Sequence, residues 1–167
     1  SMTEINVAKA PLHHQDFTQT KVAVVISDFN EEVTFKLKEG CLAELKKCLA
    51  PENIYVVHVP GAVEIPLVLK ALAQKKQYGA LIALGAVIRG ETSHYDYVCD
   101  QVSQGCQQVM LDYDLPIIFG VLTTENDEQA LDRVGGAHGN KGIDAAQAAL
   151  QMVRSEEHTS ELQSHSD

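Results

Sequence analysis

At 167 residues, with 45 % hydrophobic and 22 % charged residues, the chain has the size of one compact domain with a sizeable core. A formal charge of −10 without clustered Lys and Arg excludes a surface for nucleic-acid backbones, so any anion it binds is small. No run approaches the roughly 18 apolar residues of a membrane span, and the polar N-terminus lacks the layout of a signal peptide, so a cytoplasmic location is expected.

Ser1 ahead of Met2 reads as the scar of a cleaved tag, and residues 1–20 read as a loosely attached N-terminal arm. Lys21 to Phe29 is a dense β-branched run that predicts a strand. Glu31 to Ala50 follows with helical spacing of Val33, Leu37, Cys41, Leu45 and Cys48. The unit repeats: Ile54 to Val59 predicts a strand before a helix over Glu64 to Lys75, and Ala80 to Ile88 a strand before a helix from about His94 to Tyr113. Ile117 to Thr123 predicts the fourth strand, with helical stretches near Asp127 to Arg133 and Ile143 to Val153. Apolar strands alternating with amphipathic helices imply an α/β domain over residues 21–153, a central parallel four-stranded sheet covered on both faces.

The tail differs in kind. Residues 154–167 abandon the apolar periodicity of the preceding helix, and Arg154 to Ser164 (RSEEHTSELQS) reads residue for residue as the in-frame translation of a common sequencing-adapter string. The segment is expected to be non-native and to add nothing to the fold. Cys41, Cys48, Cys99 and Cys106 are spaced i, i+7 in pairs rather than as C-x-x-C zinc ligands, so they are expected to be reduced structural cysteines.

Open α/β sheets bind ligands beyond the carboxyl ends of their strands, so the loops there hold the candidate site residues. Arg89 to His94 (RGETSH) pairs a glycine turn with a helix start. Its N–H groups and the Thr92 and Ser93 hydroxyls can cradle a phosphate group, or Thr92 or Ser93 can be simply a helix cap. His94 is either a proton shuttle or structural. Glu64, at the end of Gly61-Ala62-Val63-Glu64, is either a carboxylate gripping a heterocycle or an acid favoured at a helix start. Phe29 and Phe119 each close a predicted strand; both can be core, or the two can sandwich a flat ring. Gly135 to Gly142 reads as a flexible connector between helices, with Arg133 and Lys141 as cations beside it.

Five blocks carry a resemblance. They are Phe29-Asn30, Val59 to Pro66 (VPGAVEIP), Leu84 to Val98 (LGAVIRGETSHYDYV), Phe119 to Asn126 (FGVLTTEN) and Gly139 to Gly142 (GNKG). In order and spacing they resemble the signature of the lumazine synthases of riboflavin biosynthesis, over about Lys21 to Val153. The resemblance implies a flavodoxin-like three-layer αβα sandwich. It also implies condensation of 5-amino-6-(D-ribitylamino)uracil with 3,4-dihydroxy-2-butanone 4-phosphate to 6,7-dimethyl-8-ribityllumazine, releasing phosphate and water, with neither cofactor nor metal.

Carried over residue by residue, Phe29 stacks on the uracil ring. Ala62, Val63, Glu64, Ala86, Val87, Ile88 and Phe119 line the ribitylaminouracil site. Glu91, Thr92 and Arg133 hold the butanone phosphate, with Lys141 as an additional cation, and His94 transfers protons. The resemblance further implies a homo-oligomer built on a pentamer, in some relatives closed into an icosahedral shell, and riboflavin synthase as the user of the product. Ala137-His138 before the G-N-K-G block, where many relatives carry a Lys, and Val63, where an aromatic is frequent, depart from the pattern. A flavodoxin-like module that binds flavin or lumazine without turnover, or a self-assembling container, shares the implied fold. The joint presence of His94 and Arg133 favours the enzyme.

Overall fold

In a computed structural model, described over residues 2–4, 6 and 12–166 (backbone alone for 14, 15 and 155–166), four parallel strands form one sheet. They are β1 (Val22–Ser27), β2 (Ile54–Val59), β3 (Ala80–Ile88) and β4 (Ile117–Thr124), ordered β2-β1-β3-β4. Between them run α1 (Glu31–Leu45), α2 (Ile65–Gln74) and α3 (His94–Tyr113). After β4 come α4 (Asp127–Asp132), the short strands β5 (Val134–Gly136) and β6 (Gly139–Asn140), and α5 (Lys141–Ser166).

The apolar runs of β1 and β3 are continuous because both faces of each strand are buried. Val22, Val24 and Ile26 point to one face, with Ile82 and Leu84, and pack on Leu37, Cys41 and Leu45 of α1 and on Ala146, Ala149 and Leu150 of α5. Ala23, Val25, Leu81 and Ala83 point to the other, against Leu69 and Leu72 of α2 and Val102, Cys106 and Val109 of α3. The result is the expected three-layer αβα sandwich. A strand order that reverses between β1 and β3 is of the flavodoxin type and opens a crevice at their carboxyl ends. Among the described residues no helix is long and apolar enough to cross a membrane.

Three details depart from the sequence expectations. Phe17, within the expected arm, closes a 3-10 turn (His14–Phe17) and is 1 % exposed, so an aromatic anchor ties the chain to the α1/α5 side of the core before Lys21. Residues 1, 5 and 7–11 of that arm lie outside the described residues. Gly135 to Gly142 is not a plain connector: β5 and β6 pair antiparallel as a two-stranded ribbon, with Gly135 (φ 111°) and Gly139 (φ 72°) in conformations that L side chains rarely adopt. The last helix runs on in its backbone to Ser166, past the predicted end at Val153.

Candidate active site

The crevice between β1 and β3 holds a cavity of about 300 Å³. Phe29 and Asn30 reach it from the β1 end, Gly61 to Val63 from the β2 end, Ala86 to Ile88 from β3, and Gly90, Thr92, His94, Tyr95 and Val98 from the loop and first turn of α3. Eight predicted residues therefore converge: Phe29, Ala62, Val63, Ala86, Val87, Ile88, Thr92 and His94. Phe29 is 72 % exposed, so its ring serves the mouth of the cavity and not the core. Its loop is tied to β2 by Asp28 N–H donating to the Val59 carbonyl (2.9 Å) and Phe29 N–H to that of Pro60 (3.1 Å). Asp28 and His58 add a side-chain hydrogen bond at 2.6 Å.

Asn30 lies in the first of the resemblance blocks but is given no role there. It takes the left-handed conformation (φ 66°) at the start of α1, and its amide donates to the Ala86 carbonyl at 2.9 Å. That bond stitches the β1 loop to β3 across the mouth. The available signal was the side-chain chemistry itself: Asn tolerates this conformation and still offers a donor.

Thr92 Oγ1 accepts from the backbone N–H of His94 (3.3 Å), so its hydroxyl oxygen serves the start of α3 while its proton stays available. Glu64 does not line the cavity. Its Oε1 accepts from the N–H of Gly61 at 2.9 Å, closing the 3-10 turn Ala62–Glu64 that shapes the cavity wall. Glu91 is exposed on the loop, outside the cavity lining. Arg89 is already engaged: Nε donates to Glu125 (2.6 Å), Nη2 lies 3.4 Å from Asp96, and the guanidinium stacks 4.3 Å from the centre of the Tyr95 ring. These contacts pin the β3–α3 loop to the β4–α4 loop. The Glu125 hydrogen bond, above all, raises the Arg89 pKa over its ordinary value. Burial pushes the neighbouring Tyr95 phenol up, with a hydrogen bond to Thr123 opposing it.

A second groove, of about 430 Å³, follows the edge strand β4 and shares no lining residue with the first. Phe119, Arg133 and Lys141 lie in it together with Asp144, Ala145 and Ala148. Phe119 is not at a strand end as expected. It is the third residue of β4, paired with Ala83 and 42 % exposed, so within one chain it does not reach Phe29. Arg133 Nη1 donates to the Gln129 carbonyl (2.8 Å), and the N–H of Lys141 donates to the Arg133 carbonyl (2.8 Å), which brings the two cations onto one wall.

Among solved structures, a de novo designed Rossmann-fold protein aligns with 66 % of this chain and 90 % of its own at a TM-score of 0.39 and 10 % identity; the fold assignment rests on the strand order. Closer in sequence are the 6,7-dimethyl-8-ribityllumazine synthases of Coxiella burnetii (strain Dugway 5J108-111), 58 % identical over 135 residues, covering 80 % of this chain and 89 % of that protein, and of Bdellovibrio bacteriovorus, 55 % identical over 133 residues, covering 80 % and 73 %. A sequence model of that family matches residues 19–157, the sheet and both grooves included, and the chain belongs to the 6,7-dimethyl-8-ribityllumazine synthase family.

Proposed function

We propose that the chain condenses 5-amino-6-(D-ribitylamino)uracil with 3,4-dihydroxy-2-butanone 4-phosphate to give 6,7-dimethyl-8-ribityllumazine, phosphate and water. The observation that carries this reading, beside family membership, is the convergence of Phe29, Ala62, Ala86 to Ile88, Thr92 and His94 on one crevice. Phe29 offers a flat apolar face to the pyrimidine, and the backbone at Gly61 to Val63 and at Val87 and Ile88, which lines the crevice, offers hydrogen bonds to a polar heterocycle and its ribityl chain.

The butanone phosphate sits by the Glu91-Thr92 loop, where backbone N–H groups and the start of the 20-residue helix α3 favour an anion. His94 borders both substrates. The substrate amine attacks the ketone and water leaves to form an imine; phosphate then leaves by elimination, and the second amine closes the ring with loss of a further water. Each step moves a proton, and one imidazole that takes and returns it contributes roughly 10²–10⁴-fold, on top of the gain from holding two reactants together.

Arg133 and Lys141 are the cations suited to clamp the phosphate, and Phe119 to cover the ring, yet all three lie in the β4 groove and not in the crevice. The reading that reconciles these facts is a homo-oligomer in which the β4 groove of one subunit faces the crevice of the next, in a pentameric ring that can close further into a shell. The four free cysteines fit a reducing, cytoplasmic setting, and riboflavin synthase is the expected consumer of the product. The test is direct: the two substrates are mixed with the protein and lumazine fluorescence is followed. A flat trace from a folded protein overturns the proposal.

A further inference from the structure

The G-N-K-G block contains a residue whose side chain touches neither groove. Asn140 Oδ1 accepts from the N–H groups of Gly142 (2.8 Å) and Ile143 (3.2 Å), the second and third residues of α5, and so caps that helix. Its amide simultaneously donates to the Lys36 carbonyl of α1 at 3.3 Å. Two glycines make this possible. A Cβ on Gly40 of α1 would lie 2.6 Å from Asn140 Oδ1 and 2.8 Å from its carboxamide carbon, and a Cβ on Gly142 would collide with the Leu37 carbonyl. The carboxamide is thus wedged between α1 and α5 where their backbones meet.

Asn140 also lies between the two cations in the covalent and hydrogen-bonded path. It pairs with Val134, the neighbour of Arg133, in the β5–β6 ribbon; Lys141 follows it directly and donates its N–H to the Arg133 carbonyl. The ribbon itself turns on Gly135 and Gly139, which restrain it little. We infer that Asn140 is a positioning residue for phosphate recognition: its three-way hydrogen bonding to α1 and α5 fixes the ribbon so that Arg133 and Lys141 share one wall of the β4 groove. The inference rests on the proposed phosphate role of those cations.

Steady-state kinetics of the full-length assembly test it. Asn140→Ala removes the cap and the α1 tie together, and is expected to raise the KM for the butanone phosphate, and the inhibition constant of inorganic phosphate, by roughly tenfold. The KM for the ribitylaminouracil stays within about twofold, since the crevice is untouched. Asn140→Ser keeps an uncharged cap acceptor but loses the tie to α1, and is expected to recover only part of the loss; full recovery would mean that capping alone suffices and would overturn the inference. Gly40→Ala keeps the protein measurable should Asn140→Ala not fold. Alanine favours the middle of a helix, so a selective rise in the butanone phosphate KM there reflects displacement of the carboxamide and not a loosened α1. Equal changes in both KM values, or a lowered melting temperature with both unchanged, overturn the inference and leave Asn140 as a structural cap. Failure of the underlying reading looks different: Arg133→Ala and Lys141→Ala then leave the butanone phosphate KM as it was. A selective rise confined to Asn140→Ala in that case also overturns the inference, since the residue would not act through the cations.

Discussion

His94 is the first residue of α3 and borders the same crevice as Phe29 from a different element, so a proton-transfer role and a ring-binding role fall on different side chains. Replacing His94 with Ala is therefore expected to lower kcat by roughly two orders of magnitude while the KM for the ribitylaminouracil changes little, because the imidazole contributes mainly in the transition state. Steady-state kinetics check it, and an unchanged kcat removes His94 from the mechanism. Cys41 and Cys106 are held in the apolar core. Burial pushes the thiols of Cys41 and Cys106 up to about 12. In the unfolded chain a thiol ionises near its ordinary value of about 8.5, so the folded state holds these protons longer than the unfolded one. Their contribution to stability is full below that pH and is lost as pH rises toward the folded value. At pH 8 Cys41 and Cys106 should resist alkylation in the native protein and react fully in urea, as mass spectrometry of the labelled chain can read; rapid native labelling at either would contradict their burial. At this scale the sequence was legible where a residue's type left one option, as with buried cysteines. It was ambiguous where one atom can serve two ends. Thr92 Oγ1 and Glu64 Oε1 each meet a backbone N–H nearby, the local alternative the sequence had left open, and no local pattern distinguishes a carboxylate that holds its own turn from one that grips a ligand.

Among the elements, the strands β1 and β3 were readable because burial on both faces demands an unbroken apolar run, and α1 because its buried residues recur at helical spacing. The β5–β6 ribbon was not. Its geometry comes from backbone conformations at Gly135 and Gly139, and a glycine run has no side-chain period to betray pairing. Phe17 was missed for a related reason: a single buried aromatic in a polar stretch has no period at all. Ala145, Ala146, Ala149 and Leu150 pack into the α1 side of the core, and Arg154 is buried one turn further on. The family match itself ends at residue 157. Because Arg154 to Ser164 read as a translated adapter string, deleting Ser155 to Asp167 is expected to move the melting temperature by no more than about two degrees and to leave kcat unchanged. Differential scanning calorimetry and the fluorescence assay decide it together. A loss of several degrees would show that the tail packs.

On the scale of the whole molecule, most of the candidate side chains lie in the family's signature blocks, but only the folded chain divides those that line a groove between two of them, and it leaves Glu64 and Glu91 outside both. Phe29 and His94 belong to the crevice between β1 and β3, Phe119, Arg133 and Lys141 to the edge of β4. Linear spacing carries no information on that division, because it does not say which strand lies at the edge of the sheet: β4 borders one groove while the loops after β1, β2 and β3 border the other. If neighbouring subunits share each site, two inactive variants must complement one another. His94→Ala disables the crevice half and Arg133→Ala the β4 half. Mixed and reassembled at equal amounts, randomly assorted subunits give four kinds of interface, of which one joins an intact crevice to an intact β4 groove. About a quarter of wild-type activity should then reappear, against little in either variant alone, as expected of a heterologous ring contact. Light scattering of the mixture establishes that assembly has occurred. A mixture that assembles into rings yet shows only the average of the two parents' activities means that each chain builds its site alone, and the shared-site arrangement falls while the assignment of the reaction stands.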